Sequence, residues 1–160
     1  MAESSLELTA PDEAAMLSLG ARLAHAIERT TGPLVIYLSG ELGAGKTTLV
    51  RGCLRALGER GTIRSPTFTL LETYSLASRG VTHLDLYRLD APHIDNIEDL
   101  GLRDLLTGDH VLFVEWPERA AGELPSPDVR VQFAFDNGGR QLACVAPTDR
   151  GASLVQLWVR

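Results

Sequence analysis

The sequence predicts an α/β fold of three layers, in which a mixed, largely parallel sheet lies between helices and carries hairpins at its edges. Amphipathic helical segments alternate with short, strongly apolar segments that suit buried parallel strands. Two pairs of β-rich segments are joined by turn sequences, as in hairpins. The chain has 160 residues, 44% of them hydrophobic, so we expect one domain that spans residues 1–160.

The first third of the chain predicts a strand, a helix and a second strand. Residues 4–9 alternate between polar and apolar and predict a short edge strand. Thr9, Pro11 and Asp12 mark the start of a helix, with Thr9 as its cap and Pro11 near its first turn. Apolar residues then recur at helical spacing: Met16, Leu19, Leu23 and Ile27. Residues 34–38 are too short and too apolar for a surface helix, so they predict a buried parallel strand.

The remaining elements follow in the same alternation. A loop over residues 40–47 leads into a helix that begins at Lys46 and ends near Gly58. The β-rich segments 68–76 and 81–86 predict a hairpin, and 129–135 with 141–145 predict a second one around Asn137-Gly138-Gly139. Between the hairpins we expect a helix over residues 94–106 and a strand over 111–114. Residues 152–159 fit a helix or a strand equally well.

Composition excludes several classes of protein. The 21 acidic residues outnumber the 15 basic ones, for a net charge of -6, which argues against a chain that grips nucleic acid by itself. The longest apolar run, residues 34–38, is far shorter than the ~20 residues of a membrane span. The acidic N-terminus lacks the features of a secretory signal, and the two cysteines form no metal or disulfide pattern. We therefore expect a cytoplasmic protein.

The only lysine of the chain lies in its clearest motif. Of the 15 cationic residues, 14 are arginine and the other is Lys46. Residues 40–47, GELGAGKT, fit the phosphate-binding pattern G-x-x-x-x-G-K-[ST], with a buried strand before it and a helix after it. The loop's amides would face the β-phosphate, Lys46 would reach the β- and γ-phosphates, and the Thr47 hydroxyl would contact Mg²⁺. The predicted nucleotide-binding residues are Glu41, Leu42, Gly43, Ala44, Gly45, Lys46, Thr47 and Thr48.

This motif predicts a P-loop NTPase-like domain, and the lysine count favours ATP over GTP as its nucleotide. Guanine-specific P-loop proteins usually recognise the base through an Asn-Lys-x-Asp loop. Here the single lysine is already part of the phosphate-binding loop. ATP with Mg²⁺ is therefore the predicted ligand.

Two carboxylates are candidates for the metal site and for catalysis beside Lys46. Glu115 ends the apolar segment 111–114, where a parallel strand meets the ligand crevice of such sheets. Asp85 lies in the alternating sequence HLDLYR and shares a strand face with His83 and Tyr87. One of them would hold the metal while the other polarises the attacking water, and the sequence leaves open which does which.

Other residues have both a functional and an ordinary structural interpretation. Ser65 and Thr67, in SPTF, lie where many P-loop proteins have a switch that responds to the γ-phosphate, although the same sequence suits a plain proline turn. Trp116 suits a partner contact or core packing, and His83 suits a hydrogen-bonded strand histidine. The acidic residues of 95–99 predict a solvated helix face, or otherwise a docking surface.

Together these motifs resemble those of the TsaE (YjeE-like) family, the P-loop ATPase subunit of bacterial tRNA threonylcarbamoyladenosine biosynthesis. The resemblance rests on GELGAGKTT (40–48), SPTF (65–68), HLDLYRL (83–89) and EWP (115–117), in the family's order. It implies that the chain hydrolyses ATP with Mg²⁺ and supports the TsaB and TsaD subunits, which modify an adenosine of tRNA. We expect little or no direct tRNA binding by this chain alone, given its charge.

The resemblance also implies roles for individual residues. Thr47 and Glu115 would contact Mg²⁺, and Asp85 and Trp116 would be required for activity. Thr9 and Arg140 would complete the nucleotide pocket, Arg140 by stacking on adenine.

Two other functions are compatible with the sequence. A small-molecule kinase would have the same loop and a similar length, but the arginines after the P-loop helix are scattered rather than grouped in a lid. A nucleotide-dependent docking module without useful hydrolysis is the second, because the sequence identifies no arginine finger and no catalytic glutamine. The sequence gives neither the hydrolysis rate nor the oligomeric state of the isolated chain.

Overall fold

Seven strands form one sheet in the part of the chain that the computed structural model describes, residues 4–66, 69–88 and 97–160. The strands are β1 (Ser4–Ala10), β2 (Leu34–Ser39), β3 (Leu71–Ser75), β4 (Gly80–Asp85), β5 (Val111–Glu115), β6 (Val129–Asp136) and β7 (Gly139–Ala146). The helices are α1 (Glu13–Glu28), α2 (Lys46–Ala56), the single turn α3 (Leu102–Leu105) and α4 (Asp149–Trp158). The strand order is β1-β7-β6-β2-β5-β4-β3.

The centre of the sheet is parallel and both edges are antiparallel. Strand β2 pairs in parallel with β5 and β6, and β4 pairs in parallel with β5. The predicted hairpins supply the antiparallel pairs β3–β4 and β6–β7, and β1 adds an edge strand next to β7. Because β2, β4 and β5 point the same way, their carboxyl ends meet at one edge, where Leu38 and Asp85 both stand opposite Glu115. The predicted mixed sheet is confirmed.

The two faces of the sheet are covered differently. Helices α1, α2 and α4 bury the main apolar core against one face, and their buried side chains include Leu23, Leu49 and Trp158. The other face packs against short turns, among them 3-10 turns at Ile97–Leu100 and Pro117–Ala120. The structure describes no helix long and apolar enough to cross a membrane.

The predicted helix over residues 94–106 is wrong in its described part. A 3-10 turn at Ile97–Leu100 is followed by the single turn α3, and Gly101 between them has a φ of +66°. A residue in this left-handed conformation cannot continue a right-handed helix, so Gly101 separates the 3-10 turn from α3. Residues 94–96, and Asp95 with them, lie outside the described part of the chain.

The predicted cap of the first helix is also wrong. Asp12 is the N-cap of α1, where its carboxylate accepts a hydrogen bond of 2.8 Å from the amide of Ala15. Thr9 instead lies in β1, opposite Gln141 of β7. Pairing with β7 keeps Thr9 extended, so the helix starts at the next side chain that can cap it.

Helix α1 supports the phosphate-binding loop through its contact with α2. A Cβ atom at Gly20 would lie 2.3 Å from the carbonyl oxygen of Leu49, and one at Gly52 would lie 2.4 Å from that of Leu17. The two backbones therefore approach more closely than any other residue type allows. Met16 of α1 reaches the loop itself, because its Cε would lie 2.8 Å from a Cβ at Gly45.

The C-terminal hairpin adds β6 and β7 to the sheet next to β2, and α4 packs against these strands and α1. Asn137 and Gly138 have φ values of +47° and +83°, as the tight turn of a two-residue hairpin requires. The ambiguous segment 152–159 is helical to Trp158. Thr148 caps α4 by accepting a hydrogen bond from the amide of Gly151, and the Trp158 indole donates to the carbonyl of Leu19 at 2.9 Å.

Candidate functional site

The loop over residues 40–47 joins the end of β2 to the start of α2 at the edge where the parallel strands end. Gly45 is the N-cap of α2, with a φ of +102°, and no side chain caps this helix. The first amides of α2 therefore keep donors available for an anion, and the helix dipole adds partial positive charge. This is the loop-to-helix geometry that the sequence predicted.

The loop's residues divide between the interior and the solvent. Ala44 is buried and donates its amide to the carbonyl of Glu41 at 3.1 Å, which closes the loop on itself. Leu42, at the tip, has 66% of its surface exposed. Thr48 follows in the first turn of α2 and lines the space on both sides of the loop.

Lys46 is almost fully buried, and the loop's own backbone holds its side chain. Its ammonium group donates hydrogen bonds to the carbonyls of Gly40 and Glu41 and lies 4.0 Å from the centroid of the Trp116 ring. Burial lowers the pKa of Lys46, and the nearby Glu115 and Asp85 carboxylates partly offset that change. The ammonium is therefore positioned beside the acids and free to exchange backbone carbonyls for phosphate oxygens.

Glu115 is held by one side chain from the loop and one from the neighbouring strand. The Thr47 hydroxyl donates to its two carboxylate oxygens at 3.2 and 3.0 Å. Nε2 of His83 donates to Oε2 of Glu115 at 2.5 Å. The strand histidine that the sequence predicted is thus a direct partner of a candidate metal ligand, while its Nδ1 finds no hydrogen-bond partner among the described residues.

Asp85 lies beside Glu115 and shapes the chain that follows β4. One carboxylate oxygen accepts the amide of Tyr87 at 3.0 Å, and the other accepts the Ser65 hydroxyl at 3.3 Å. Burial raises the pKa of Asp85, and the negative charge of Glu115 raises it further. Two close carboxylates in a buried setting favour a cation between them.

The Trp116 ring lies over the Lys46 ammonium group, and the backbone of Trp116 has a conformation that is uncommon for a bulky residue. Its φ of +60° and ψ of +48° are left-handed, and they follow directly on the end of β5. Its ring lies 5.1 Å from that of Tyr87, centroid to centroid. The aromatic pair therefore forms one wall over Lys46.

These side chains line a cavity of about 300 Å³. It is lined by residues from the first turn of α2 and from the ends of β4 and β5. The lining includes Lys46, Thr47, Ser65, Asp85, Glu115 and Trp116. Arg88 also lines it; the sequence analysis included this residue in the HLDLYRL motif but gave it no role of its own. Thr67 lies outside the described residues, so the structure says nothing of its place.

A second cavity, of about 210 Å³, lies on the other side of the loop and shares Gly43, Gly45 and Thr48 with the first. Arg140 lines it and donates to the carbonyl of Gly43 at 3.2 Å. Its guanidinium carbon lies 4.3 Å from the Phe135 ring centroid. The lining begins at Ala10, one residue after Thr9, and includes Asp12, which the sequence analysis placed only at the start of a helix.

The site has the oxygen donors that Mg²⁺ prefers. Thr47, Asp85 and Glu115 offer one hydroxyl and two carboxylates. The described residues contain no cluster of three or more His, Cys, Asp or Glu side chains that could hold a metal alone. Mg²⁺ is typically bound through one or two carboxylates together with phosphate oxygens and water, so this donor set fits it.

Comparison with known proteins identifies a matching sequence family and similar proteins. The sequence model of the family described as threonylcarbamoyl adenosine biosynthesis protein TsaE matches residues 10–142. The chain is 38% identical over 153 residues to the tRNA threonylcarbamoyladenosine biosynthesis protein TsaE of Haemophilus influenzae, a match that covers 94% of this chain and 96% of that protein. It is 44% identical over 120 residues to the corresponding protein of Streptomyces coelicolor, which covers 74% and 78%.

A solved structure has the same fold. The crystal structure of Bacillus subtilis YdiB aligns with a TM-score of 0.76 at 25% identity, over 100% of this chain and 97% of that one.

Proposed function

The chain belongs to the TsaE family, and on that premise we propose that it binds and hydrolyses ATP with Mg²⁺ in support of threonylcarbamoyladenosine formation in tRNA. The observation that carries the proposal is the convergence of Lys46, Thr47 and Glu115 at one helix N-terminus. Thr47 and Glu115 are joined by hydrogen bonds of 3.0 and 3.2 Å, and Lys46 lies beside them under Trp116. Phosphate, metal and protein oxygens meet at such a point in P-loop proteins.

The two adjoining cavities suggest how the nucleotide lies. The triphosphate would occupy the cavity with the carboxylates and take hydrogen bonds from the amides of residues 43–48. The base and ribose would occupy the cavity lined by Asp12 and Arg140, and the loop between the cavities would support the α- and β-phosphates. Arg140 is held by Gly43, so base binding and loop geometry are coupled through one side chain.

Lys46, Glu115 and Asp85 would have separate roles in binding phosphate, metal and water. Lys46 would leave the carbonyls of Gly40 and Glu41 and bind the β- and γ-phosphates. The oxygens of Thr47 and Glu115 would hold Mg²⁺, which would supply positive charge that offsets the charge of the phosphates. Glu115 would hold the metal side with Thr47, since those two groups are already in contact. Asp85 is free of Thr47 and would orient the attacking water.

Ser65 would link nucleotide state to the segment that follows α2. Its hydroxyl bonds the carboxylate of Asp85 at 3.3 Å. A γ-phosphate that draws Asp85 towards water or metal would alter this contact. We therefore propose that Ser65 and Thr67 belong to a switch segment, and that it and Trp116 contact partner proteins.

We infer that the partners are TsaB and TsaD, and that hydrolysis is slow until they bind. The names of the relatives refer to the same tRNA modification. The net charge of -6 favours a protein partner over tRNA as the main contact.

Calorimetry with Mg²⁺ and ADP or ATP tests nucleotide binding. The wild-type chain should bind both, Lys46→Ala should lose at least about tenfold in affinity for ATP, and Thr47→Ala should lose most of the Mg²⁺ dependence. Arg130→Ala, an exposed change on β6, is the matched control and should bind like the wild type. Equal affinity of the wild type and Lys46→Ala would contradict the proposal.

A pull-down with TsaB and TsaD, compared with ATP, ADP and no nucleotide, tests the assembly. We expect capture to depend on the nucleotide and phosphate release to change when both partners are present. Phosphorylated metabolites would indicate a kinase instead. Full tRNA modification by Glu115→Ala would indicate a docking module without useful hydrolysis.

A further inference from the structure

We propose that Arg88 is the arginine that completes the catalytic site, with its guanidinium on the γ-phosphate. Arg88 lines the same cavity as Lys46, Asp85 and Glu115. The inference rests on the proposed function, because it assigns a residue to ATP hydrolysis at that cavity.

The local structure directs Arg88 towards the cavity. Strand β4 ends at Asp85, whose carboxylate accepts the amide of Tyr87 and turns the chain. The amide of Leu86 donates to the carbonyl of Glu115 at 3.0 Å, and the Tyr87 ring packs on Trp116. Residues 85–87 are thus anchored by one hydrogen bond within the turn, one hydrogen bond to β5 and one ring contact with the residue after β5. Arg88 is the first residue after this anchored turn.

The charges in the cavity leave a role for a second cation. Asp85 and Glu115 bring two negative charges, and Lys46 brings one positive charge. In hydrolysis, a water oxygen bonds to the γ-phosphorus as the bond to the β,γ-bridging oxygen breaks; that oxygen leaves on ADP with the electron pair, and the water's proton goes to solvent. Negative charge grows on the bridging and equatorial oxygens. A planar guanidinium can bind two of these oxygens at once, which an ammonium cannot.

Two other arginines near the loop do not line this cavity. Arg140 bonds the carbonyls of Gly43 and Gly139 and lines the second cavity. The guanidinium carbon of Arg119 lies 5.8 Å from the ring centroids of both Tyr87 and Trp116. Among the residues that the structure describes around the larger cavity, Arg88 is the arginine in its lining.

Hydrolysis and transition-state mimicry test the assignment on the full chain. Arg88→Ala should keep the affinity for Mg²⁺-ADP within about threefold of wild type while the maximal rate of hydrolysis falls by about 10²- to 10³-fold. The affinity for ADP with aluminium fluoride, which mimics the transferring phosphoryl group, should fall by a similar factor. Arg88→Lys should recover only a small part of both, and Arg130→Ala should match wild type in every assay.

The outcomes separate this inference from the proposed function. Wild-type hydrolysis or wild-type aluminium fluoride affinity in Arg88→Ala would overturn the role of Arg88 while leaving nucleotide binding intact. Equal losses in the affinities for ADP and for its aluminium fluoride complex would also overturn it, because they would indicate ordinary ground-state binding. Absence of Mg²⁺-nucleotide binding by the wild-type chain would instead contradict the proposed function.

Discussion

Nε2 of His83 lies 2.5 Å from Oε2 of Glu115, and both side chains are buried, with 0% and 2% of their surfaces exposed. The two residues lie on the neighbouring parallel strands β4 and β5. The same carboxylate accepts the Thr47 hydroxyl from the phosphate-binding loop. The buried acid that we propose as a Mg²⁺ ligand is therefore oriented by an imidazole, as ligating groups commonly are by an outer hydrogen-bond partner.

Replacement of His83 should cost stability and Mg²⁺-nucleotide affinity together. His83→Ala leaves a buried carboxylate without one of its donors and should lower the free energy of unfolding by about 2–4 kcal/mol. His83→Gln can place an amide donor near the same point and should recover part of both losses. Urea unfolding and calorimetry measure them, with the exposed His25→Ala as control. If Gln were no better than Ala, the hydrogen bond would not be the cause.

Asp85→Asn should stabilise the nucleotide-free chain and impair its activity. Burial and the charge of Glu115 raise the pKa of Asp85, so the ionised carboxylate is less favourable in the folded state than in the unfolded chain. Asparagine keeps an acceptor for the amide of Tyr87 but carries no charge. We expect a gain of about 0.5–2 kcal/mol in unfolding free energy at pH 7. Mg²⁺-dependent hydrolysis should fall at least about 100-fold.

A series of unfolding measurements at different pH tests whether the charge of Asp85 causes that gain in stability. Since the folded-state pKa of Asp85 is raised, the wild type loses stability as pH rises from the ordinary carboxyl range through the folded-state pKa. Asp85→Asn should lack this component, so the variant's advantage should shrink in acid. An advantage that is constant across pH would mean that charge is not its origin.

Gly20→Ala should unfold the chain more easily, because its Cβ would lie 2.3 Å from the carbonyl oxygen of Leu49 and 2.8 Å from the amide of Cys53. Both are backbone atoms, so α1 and α2 must separate. The expected loss is about 1–3 kcal/mol of unfolding free energy. Ser18→Ala, an exposed change in the same helix, should not destabilise. Thermal unfolding of the two variants gives the comparison, and nucleotide affinity should fall in Gly20→Ala alone because Met16 of α1 contacts the loop.

His110 should make stability fall in mild acid. Its Nε2 lies 2.8 Å from the Thr82 hydroxyl, and burial lowers its pKa below the ordinary value of about 6.5. The unfolded chain therefore binds a proton at a higher pH than the folded chain does, and stability rises with pH from the lowered pKa up to about 6.5. Urea midpoints at pH 7.5 and 5.5 should converge in His110→Gln relative to wild type. Ser18→Ala, an exposed change at a residue without a titrating side chain, should keep the wild-type difference between the two midpoints.

Local sequence was sufficient for the elements that carry the loop. A short apolar strand, a glycine-rich loop and an amphipathic helix each have a signature within about ten residues, and β2, the loop and α2 lie where that signature predicts. The acids at the ends of β4 and β5 could be predicted in the same way, since parallel strands end at a common edge. Two predictions failed where pairing or a single glycine outweighed a local pattern, at the Thr9 cap and the helix interrupted by Gly101.

Neighbouring residues in the chain were enough to predict that a phosphate-binding loop precedes a helix and that two acids lie near the ends of buried strands. Contacts between distant segments, which bring Glu115 to His83 and Thr47 and bring Arg140 to Gly43, 97 residues away, could be found only in the folded chain. Strand order and register set those distances. Strand order and register depend on how the whole core packs, so they cannot be predicted from any short segment of the sequence.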